Sequence, residues 1–411
     1  MLEFYFTDKR TLGLFNQGPL GPCFDGFATH LRKLGYHLVV AQGFLRQCRR
    51  FNIFVATRGI TDCKRVDFSQ MRNFLRTHAG SETKKVTRCA LRRLSEYLMG
   101  IGVLRDETPR KVSQYAWILD PYLSYLKEER QLTKASFLQA RKHISQFLEF
   151  LGGKAVSSSQ LKLLGPESVE IYLKKWIDAG QGGLDRFVSS LRVFLRFCSR
   201  QKFIRRDLSG VIPSIPRYRL SSLPKGMEES DLRRILKKID LTDLTGRRNY
   251  AIVLLMMLYG IRGSQAAALQ LSDISWPRLT IRIPPSKNGK EVVLPLLEPV
   301  GEAILRYLRC RPQYPLRHVF ISRRAPYRPL TELAVSVLVR RCMIRAGVKV
   351  PLSGSSTLRH SWAIRALAHG ASIKSIADVL GHRYLGTTLV YAKADLKMLR
   401  QVTLPWPEVR S

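Results

Sequence analysis

Five side chains in the carboxyl-terminal half of the chain have the types and the order needed to break a phosphodiester. They are Arg262, Lys287, Arg359, His382 and Tyr391, and the tyrosine follows the histidine by nine residues. A guanidinium can bind two phosphate oxygens at once, and a phenol can act as a nucleophile that forms a covalent intermediate. Such a set requires no metal ion and no other cofactor. The sequence therefore predicts attack on a phosphodiester by the tyrosine.

The two arginines are predicted to lie at the ends of helices. Arg262 follows an apolar run that ends at Ile261, and helical spacing of apolar residues resumes after it, so this arginine should lie between two helices. Arg359 lies on a later helix, on a face next to the one that buries Leu358. His360 is rotated by about 100° from Arg359 on such a helix. We expect this histidine to point away from the site and to have a structural role.

A hairpin and a helix end should position the remaining groups. Two β-rich runs, 279–283 and 291–296, flank an Asn-Gly pair at 288–289, and this dipeptide between strands is a strong hairpin signal. The hairpin would carry Lys287, with Lys290 as the alternative lysine. Gly381 follows a short apolar helix and should end it in a left-handed conformation, which places His382 at a turn.

These motifs resemble those of the tyrosine recombinase and phage integrase family. The resemblance covers about residues 227–400, and it includes Leu-Gly-His at 380–382 and the tyrosine nine residues beyond that histidine. It implies a 3′-phosphotyrosine intermediate with a free 5′-hydroxyl, stabilised by the two arginines. It further implies a lysine that protonates the leaving oxygen and a histidine that binds a phosphate oxygen. The chain would then be a site-specific recombinase that serves the integration, excision or transposition of a mobile element.

Two positions depart from the family pattern. Ser356 stands where the family usually has the first histidine of His-x-x-Arg, and Gln265 stands where an acidic residue is common. The serine removes a charged donor, so a slowed enzyme or a catalytically degenerate accessory protein that only binds DNA is an alternative. DNA relaxation of the type IB topoisomerase kind is another, because it uses nearly the same residues.

Composition points to a polyanionic partner. The 411 residues include 69 lysines and arginines against 31 acidic residues, a formal net charge of +38. Such an excess favours nucleic acid, and we expect double-stranded DNA with a specific site, bound by a dimer or tetramer of this chain or with other recombinases. The seven cysteines form no CxxC pair and no apolar run is long enough to span a bilayer. We expect no metal site, no membrane partner, and a cytoplasmic, nucleoid-associated protein.

The domain organisation is predicted to be mainly α-helical with one small antiparallel sheet. An additional N-terminal helical DNA-binding unit is expected at 1–110, a helical domain that resembles the family's core-binding domain at 111–208, a linker at 209–226 and, by the same resemblance, a catalytic domain with a C-terminal tail at 227–411. Apolar patterns in the first two recur at offsets of 96 and 100 residues, which suggests a duplicated helical unit. Arg217 and Arg219 in the linker, with Ser356 and Lys290, are predicted to contact the substrate.

Overall fold

The computed structural model describes residues 1–78, 83–104, 115–152, 157–180, 182–214, 226–286, 290–348 and 354–394. Contacts between Cα atoms divide the chain into two compact units. One consists of Met1–Arg105 with Arg219–Ser411, and the other of Asp106–Tyr218. The mainly helical fold with one small antiparallel sheet is confirmed. Within the described ranges, every helix is too short or too polar to cross a lipid bilayer.

The N-terminal part of the first unit consists of helices around an aromatic core. They are α1 (Leu2–Tyr5), α2 (Lys9–Phe15), α3 (Phe24–Lys33), α4 (Leu38–Ala56), α5 (Phe68–Thr77) and α6 (Lys84–Gly100). Helix α4 packs on α6, and the core of this part includes Phe51 from α4 and Leu94 from α6, both almost inaccessible to solvent. Asp67 caps α5 by accepting from the amide of Gln70, whose own side chain caps the Asp67 amide. Tyr314, from the later part of the unit, donates a hydrogen bond to the carbonyl of Lys33 (2.8 Å).

The second unit has its own aromatic core. Its helices are α7 (Ala116–Glu128), α8 (Lys134–Gly152), α9 (Ser158–Lys162), α10 (Pro166–Asp178) and α11 (Leu184–Arg200). Helix α11 packs on α8, and the rings of Trp176 and Phe187 stack at 4.0 Å. Ile212, which lies within the predicted linker at 209–226, is also buried in this core.

The predicted sequence repeat has a counterpart in helix positions. Helices α4 and α8 both have 19 residues and start 96 positions apart, and α6 and α11 both have 17 residues and start 100 positions apart. The offset of 100 residues also relates the hydrogen bonds at the ends of α6 and α11. The amides of Val103 and Leu104 bind the carbonyl of Leu98, as those of Phe203 and Ile204 bind the carbonyl of Cys198. The two units therefore share a helical frame and the way in which its last helix ends.

The carboxyl-terminal part of the first unit surrounds one almost entirely buried helix with other helices and a three-stranded sheet. The helices are α12 (Glu229–Lys237), α13 (Leu244–Tyr259), α14 (Gly263–Ala268), α15 (Glu298–Leu308), α16 (Glu332–Arg345), α17 (Ser355–Ala368) and α18 (Ile373–Val379), with 3₁₀ helices at Leu271–Asp273, Leu385–Thr387 and Leu389–Ala394. The buried helix is α13, which packs against α15 and α17.

The strands are β1 (Ile274–Ser275), β2 (Thr280–Ile283) and β3 (Val292–Pro295), paired antiparallel in that order. The predicted hairpin is confirmed in β2 and β3, where Thr280 faces Pro295 and Ile283 faces Val292. Strand β1 escaped prediction because two residues are too few to show a period. In the chain, the hairpin follows α14, the 3₁₀ helix at Leu271–Asp273 and strand β1.

Candidate active site

Helix α17 is fixed to the end of α13 by three long side chains on one of its faces. Arg359 Nη1 donates to the carbonyl of Gly260 (2.9 Å), Trp362 Nε1 to that of Leu258 (2.8 Å) and Arg365 Nη2 to that of Met257 (2.6 Å). The last carbonyls of a helix have no partner within it, so these donors satisfy groups that would otherwise be buried unpaired. The contacts place Arg359 where α13 ends.

Gly260 makes this close approach possible. Its φ of +61° lies in the left-handed region, and a Cβ added there would lie 2.8 Å from the indole ring of Trp362. A residue with a side chain would be strained by the backbone and would push α17 away. Glycine at this position therefore lets the chain turn from α13 directly into α14, with Arg262 at the start of α14.

The guanidinium of Arg359 is almost entirely buried and joins two helix ends. Only 6% of the residue is exposed, and its Nη2 donates to the carbonyl of Leu380 (2.9 Å) and to Nε2 of His382 (2.6 Å). Burial and then the positive charge of Arg262 lower the pKa of Arg359 to about 10, so the group keeps its proton near neutral pH. A buried cation beside a second cation is suited to bind an anion.

His382 is held in one tautomer by its two neighbours. A guanidinium has only hydrogens to donate, so Nε2 of His382 accepts from Arg359, and Nδ1 then carries the proton and donates to Thr388 Oγ1 (2.7 Å). Burial, followed by the charges of Arg359 and Arg262, lowers the pKa of His382 to about 4. The imidazole is therefore neutral, and in this arrangement its Nε2 has no proton to offer a phosphate oxygen.

Arg262 caps α14 and points toward the end of strand β2. Its Nη1 donates to Ser286 Oγ (2.7 Å), and its amide donates to Gln265 Oε1 (2.9 Å). Gln265 is 3% exposed and also donates from Nε2 to the carbonyl of Pro284 (2.9 Å). An acidic residue in place of Gln265 could accept the hydrogen bond from the Arg262 amide, but a carboxylate could not donate one to the carbonyl of Pro284. The departure at Gln265 therefore has a structural role in joining α14 to the sheet.

The hairpin lies against the turn that positions His382. Gly381 has the predicted left-handed conformation, with φ of +62°, and a Cβ added there would lie 3.0 Å from the carbonyl oxygen of Lys290. Lys290 itself is exposed. Lys287 lies outside the described residues, and so do Arg217 and Arg219, and the roles assigned to these three stay predictions.

Ser356 lies on the first turn of α17 and is exposed. A side chain at this position faces solvent one turn before Arg359, as expected from their spacing of three residues. The predicted contact of Ser356 with the substrate stays a prediction.

Tyr391 is the residue whose surroundings differ most from the expectation. It lies on the last 3₁₀ helix, is 3% exposed, and its hydroxyl is 2.9 Å from Nδ1 of His360. Burial raises the pKa of the Tyr391 phenol, and the charges of Arg359 and then Arg262 partly oppose that rise. The same burial and the charge of Arg359 lower the pKa of His360. A neutral phenol therefore lies beside a neutral imidazole.

The expectation that His360 points away from the site is wrong. The segment after His382 wraps around α17, so Tyr391 meets a second face of that helix while Arg359 occupies the first. Neighbouring residues on the helix do point about 100° apart, as expected. Arg359 and His360 nevertheless both contact predicted site residues, because those residues lie against two faces of α17. In the sequence, the sign of this contact was the position of His360 directly after Arg359.

The described residues contain no group of three or more His, Cys, Asp or Glu side chains that could hold a metal ion. Among the predicted residues, the structure brings together Arg262, Arg359, His382 and Tyr391. It adds His360, Gln265 and Thr388 as partners of these residues. Gln265 was marked in the sequence by its departure from the family pattern, and His360 by its place beside Arg359.

Comparison with known proteins gives consistent matches over most of the chain. A sequence model of the phage integrase family matches residues 225–398. A Sinorhizobium fredii protein with the provisional name integrase/recombinase y4rA is 31% identical over 99% of this chain and 99% of its own length. The tyrosine recombinase XerD of Staphylococcus aureus is 25% identical over 69% of this chain and 96% of its own length.

Solved structures share the fold at lower sequence identity. A λ integrase fragment, solved as a dimer on a core site, has a TM-score of 0.53 and 16% identity over 72% of this chain and 99% of its own. The XerH recombinase, solved on its difH substrate after cleavage, has a TM-score of 0.54 and 17% identity over 80% of this chain and 92% of its own. At these identities the matches concern the fold.

Proposed function

We propose that Tyr391 is the nucleophile with which this chain, which belongs to the phage integrase family of tyrosine recombinases, cuts and rejoins DNA at specific sites. Enzymes of this class transfer DNA strands. The charges of Arg359 and Arg262 both lie near enough to the Tyr391 hydroxyl to oppose the rise in pKa that burial causes. This convergence of two cations and a phenol supports the assignment most directly.

In the proposed reaction, the oxygen of Tyr391 attacks the scissile phosphorus and forms a 3′-phosphotyrosine. The bond from phosphorus to the 5′-oxygen breaks, and Lys287 supplies the proton that this oxygen takes up, with Lys290 as the alternative donor. Arg262 and Arg359 stabilise the charge on the non-bridging oxygens, because fixed cations in a buried site lower the energy of the charged transition state. Rejoining is the reverse, with a 5′-hydroxyl as the attacking group.

The high positive charge fits a duplex as substrate, since a net charge of +38 would be neutralised by many phosphates. We propose that both helical units and the catalytic helices bind the duplex around a recombination site, on the nucleoid. The reaction would serve integration, excision or transposition of a mobile element.

The proposal is tested by covalent trapping on a nicked duplex that prevents rejoining. Tyr391→Phe removes only the attacking oxygen, so it should abolish adducts that survive denaturation while leaving duplex affinity within about twofold. Tyr384→Phe is the matched control, because that ring is 68% exposed in the same segment, and it should form adducts at the wild-type rate. Adducts that persist in Tyr391→Phe, or that disappear from the wild type when divalent metals are chelated, would contradict the proposal.

Assembly is the second part of the proposal. We expect two or four copies to act on paired sites, with the C-terminal tail of one copy docked on its neighbour. Ending the chain after Lys397 should then leave cleavage of a single site intact and reduce recombination between two sites at least tenfold, an effect of about 1.4 kcal/mol. Supercoil relaxation without recombination of paired sites would instead favour a topoisomerase.

A further inference from the structure

We propose that Nδ1 of His360 accepts the proton of the Tyr391 hydroxyl when that oxygen bonds to phosphorus. The inference rests on the proposed role of Tyr391 and assigns a catalytic partner to it. It begins from the contact of 2.9 Å between the two groups, which is the hydrogen bond made by the Tyr391 hydroxyl among the described residues. A base must lie within hydrogen-bond reach of the proton that it removes, and this separation meets that condition.

The other histidine of the site is not available for this task. His382 uses both ring nitrogens, one toward Arg359 and one toward Thr388. The position that often carries a histidine is occupied by Ser356, whose hydroxyl is a very weak base. Among the imidazole groups described at the site, only His360 directs a nitrogen to the nucleophile.

The state of His360 suits a base. Burial and the nearby Arg359 lower its pKa, so the ring is neutral at pH 7 and one of its nitrogens has a free lone pair. No hydrogen bond of the described residues involves its Nε2, which leaves that nitrogen able to carry the resting proton. The phenol can then donate to Nδ1, and the imidazole becomes an imidazolium after transfer.

The transfer balances when it is concerted with attack. Proton movement alone would be unfavourable, because burial raises the pKa of Tyr391 and lowers that of His360. Once phosphorus bonds to the phenolic oxygen, that oxygen can no longer hold its proton, which passes to Nδ1 while the 5′-oxygen leaves and is protonated by the general acid. In rejoining, the imidazolium returns the proton to Tyr391. No electrons are exchanged and no further reactant is needed.

The test measures single-turnover cleavage of a nicked duplex by His360→Asn. The asparagine amide can keep a hydrogen bond to the hydroxyl but cannot take up its proton, so the rate should fall about a hundredfold or more. His369→Asn is the matched control, because that histidine ends the same helix, is exposed and binds only a backbone carbonyl. Duplex affinity and melting temperature should stay at wild-type values in both variants.

The pH profile separates proton removal from positioning. The wild-type rate should be flat from about pH 7 to 8.5, since the base is already neutral, whereas the rate of His360→Asn should rise with pH because solvent must remove the proton. Added imidazole should partly restore cleavage in His360→Ala, which also serves if the asparagine variant is unstable. Rates and a pH profile equal to the wild type in His360→Asn would overturn the inference.

A substrate with sulfur in place of the bridging 5′-oxygen distinguishes base from acid. A thiolate leaves without being protonated, because a thiol is far more acidic than an alcohol. The defect of His360→Asn should therefore persist on this substrate, while that of Lys287→Met should be relieved. Relief of the His360→Asn defect would assign His360 to the leaving group and refute the inference. If Tyr391→Phe were still to form adducts, the proposed function would fail first, independently of these outcomes.

Discussion

Helices α4 and α6 of the first unit and helices α8 and α11 of the second bury side chains at matching positions but differ in the polarity of those side chains. Phe51 and Phe147 are both inaccessible to solvent, as are Leu98 and Cys198. Asn52, however, is buried where the second unit buries Leu148. The apolar positions thus define the shared frame, and the differences lie in a few polar ones.

The buried asparagine shows what such a polar position contributes. Its Oδ1 accepts from the amide of Leu20 (2.9 Å), and its Nδ2 donates to the carbonyl of Gln17. These bonds join α4 to the loop that follows α2. This loop belongs to a leading segment, and the described part of the second unit has no equivalent of that segment before α7. A repeated frame can therefore accept an added segment when one core position is made polar and fully bonded.

The largest expected effect tests whether the two frames are equally dependent on their aromatic centres. Phe51→Ala and Phe147→Ala should each lower the free energy of unfolding of their own unit by about 3 to 5 kcal/mol, because each leaves a cavity in a packed core. Hydrogen exchange resolved by peptide would measure the change separately in α4 and α8. Arg50→Ala and Lys142→Ala, both exposed on the same helices, should change it by less than about 0.5 kcal/mol. A large loss in one unit only would break the equivalence.

A smaller effect is expected from exchanging the polar position itself. Asn52→Leu copies the second unit but leaves the amide of Leu20 and the carbonyl of Gln17 unpaired, which should cost about 2 to 4 kcal/mol. Leu148→Asn should also destabilise, because it buries an amide without partners. Faster hydrogen exchange at residues 17–20 in Asn52→Leu would show that these hydrogen bonds hold the leading segment. If that variant were as stable as the wild type, the hydrogen bonds would not be what holds the leading segment.

The smallest expected effect concerns the second residue after the last helix of each frame. Gly102 and Lys202 both have positive φ, +74° and +58°, and only glycine adopts this conformation without strain. Gly102→Ala should lower stability by about 1 kcal/mol, and Lys202→Gly should raise it by about 0.5 to 1 kcal/mol. Melting temperatures of the two variants decide this, and a shift in the same direction for both would contradict it.

Much of the frame could be predicted because it depends on local patterns. The helical spacing of apolar residues indicated both units and their offsets, and the Asn-Gly pair at 288–289 indicated the hairpin. The ordering of Arg262, Arg359, His382 and Tyr391 indicated residues that the structure brings together. The helical spacing and the Asn-Gly pair are local signals, whereas the order of the site residues was informative only through the resemblance to a family.

The rest of the site depends on contacts between distant segments, which local spacing does not contain. Gln265 has its role because Pro284 lies opposite it, and Arg365 and Trp362 satisfy carbonyls at the end of a helix about a hundred residues earlier. His360 reaches Tyr391 because the chain folds back over α17. A helical wheel shows which residues share a face, but it does not show how many faces a site will use.

Arg359 links the folding of this protein to the occupation of its site. The folded chain keeps this guanidinium buried, with the like charge of Arg262 acting against it, and its partners are neutral carbonyls and an imidazole. An anion bound there would offset part of that unfavourable electrostatic energy, and a ligand that binds only the folded state stabilises it in proportion to the logarithm of its concentration. Phosphate groups of a duplex would then act as a counterion for the guanidinium of Arg359. The helices around Arg359 should be most rigid when DNA is in place.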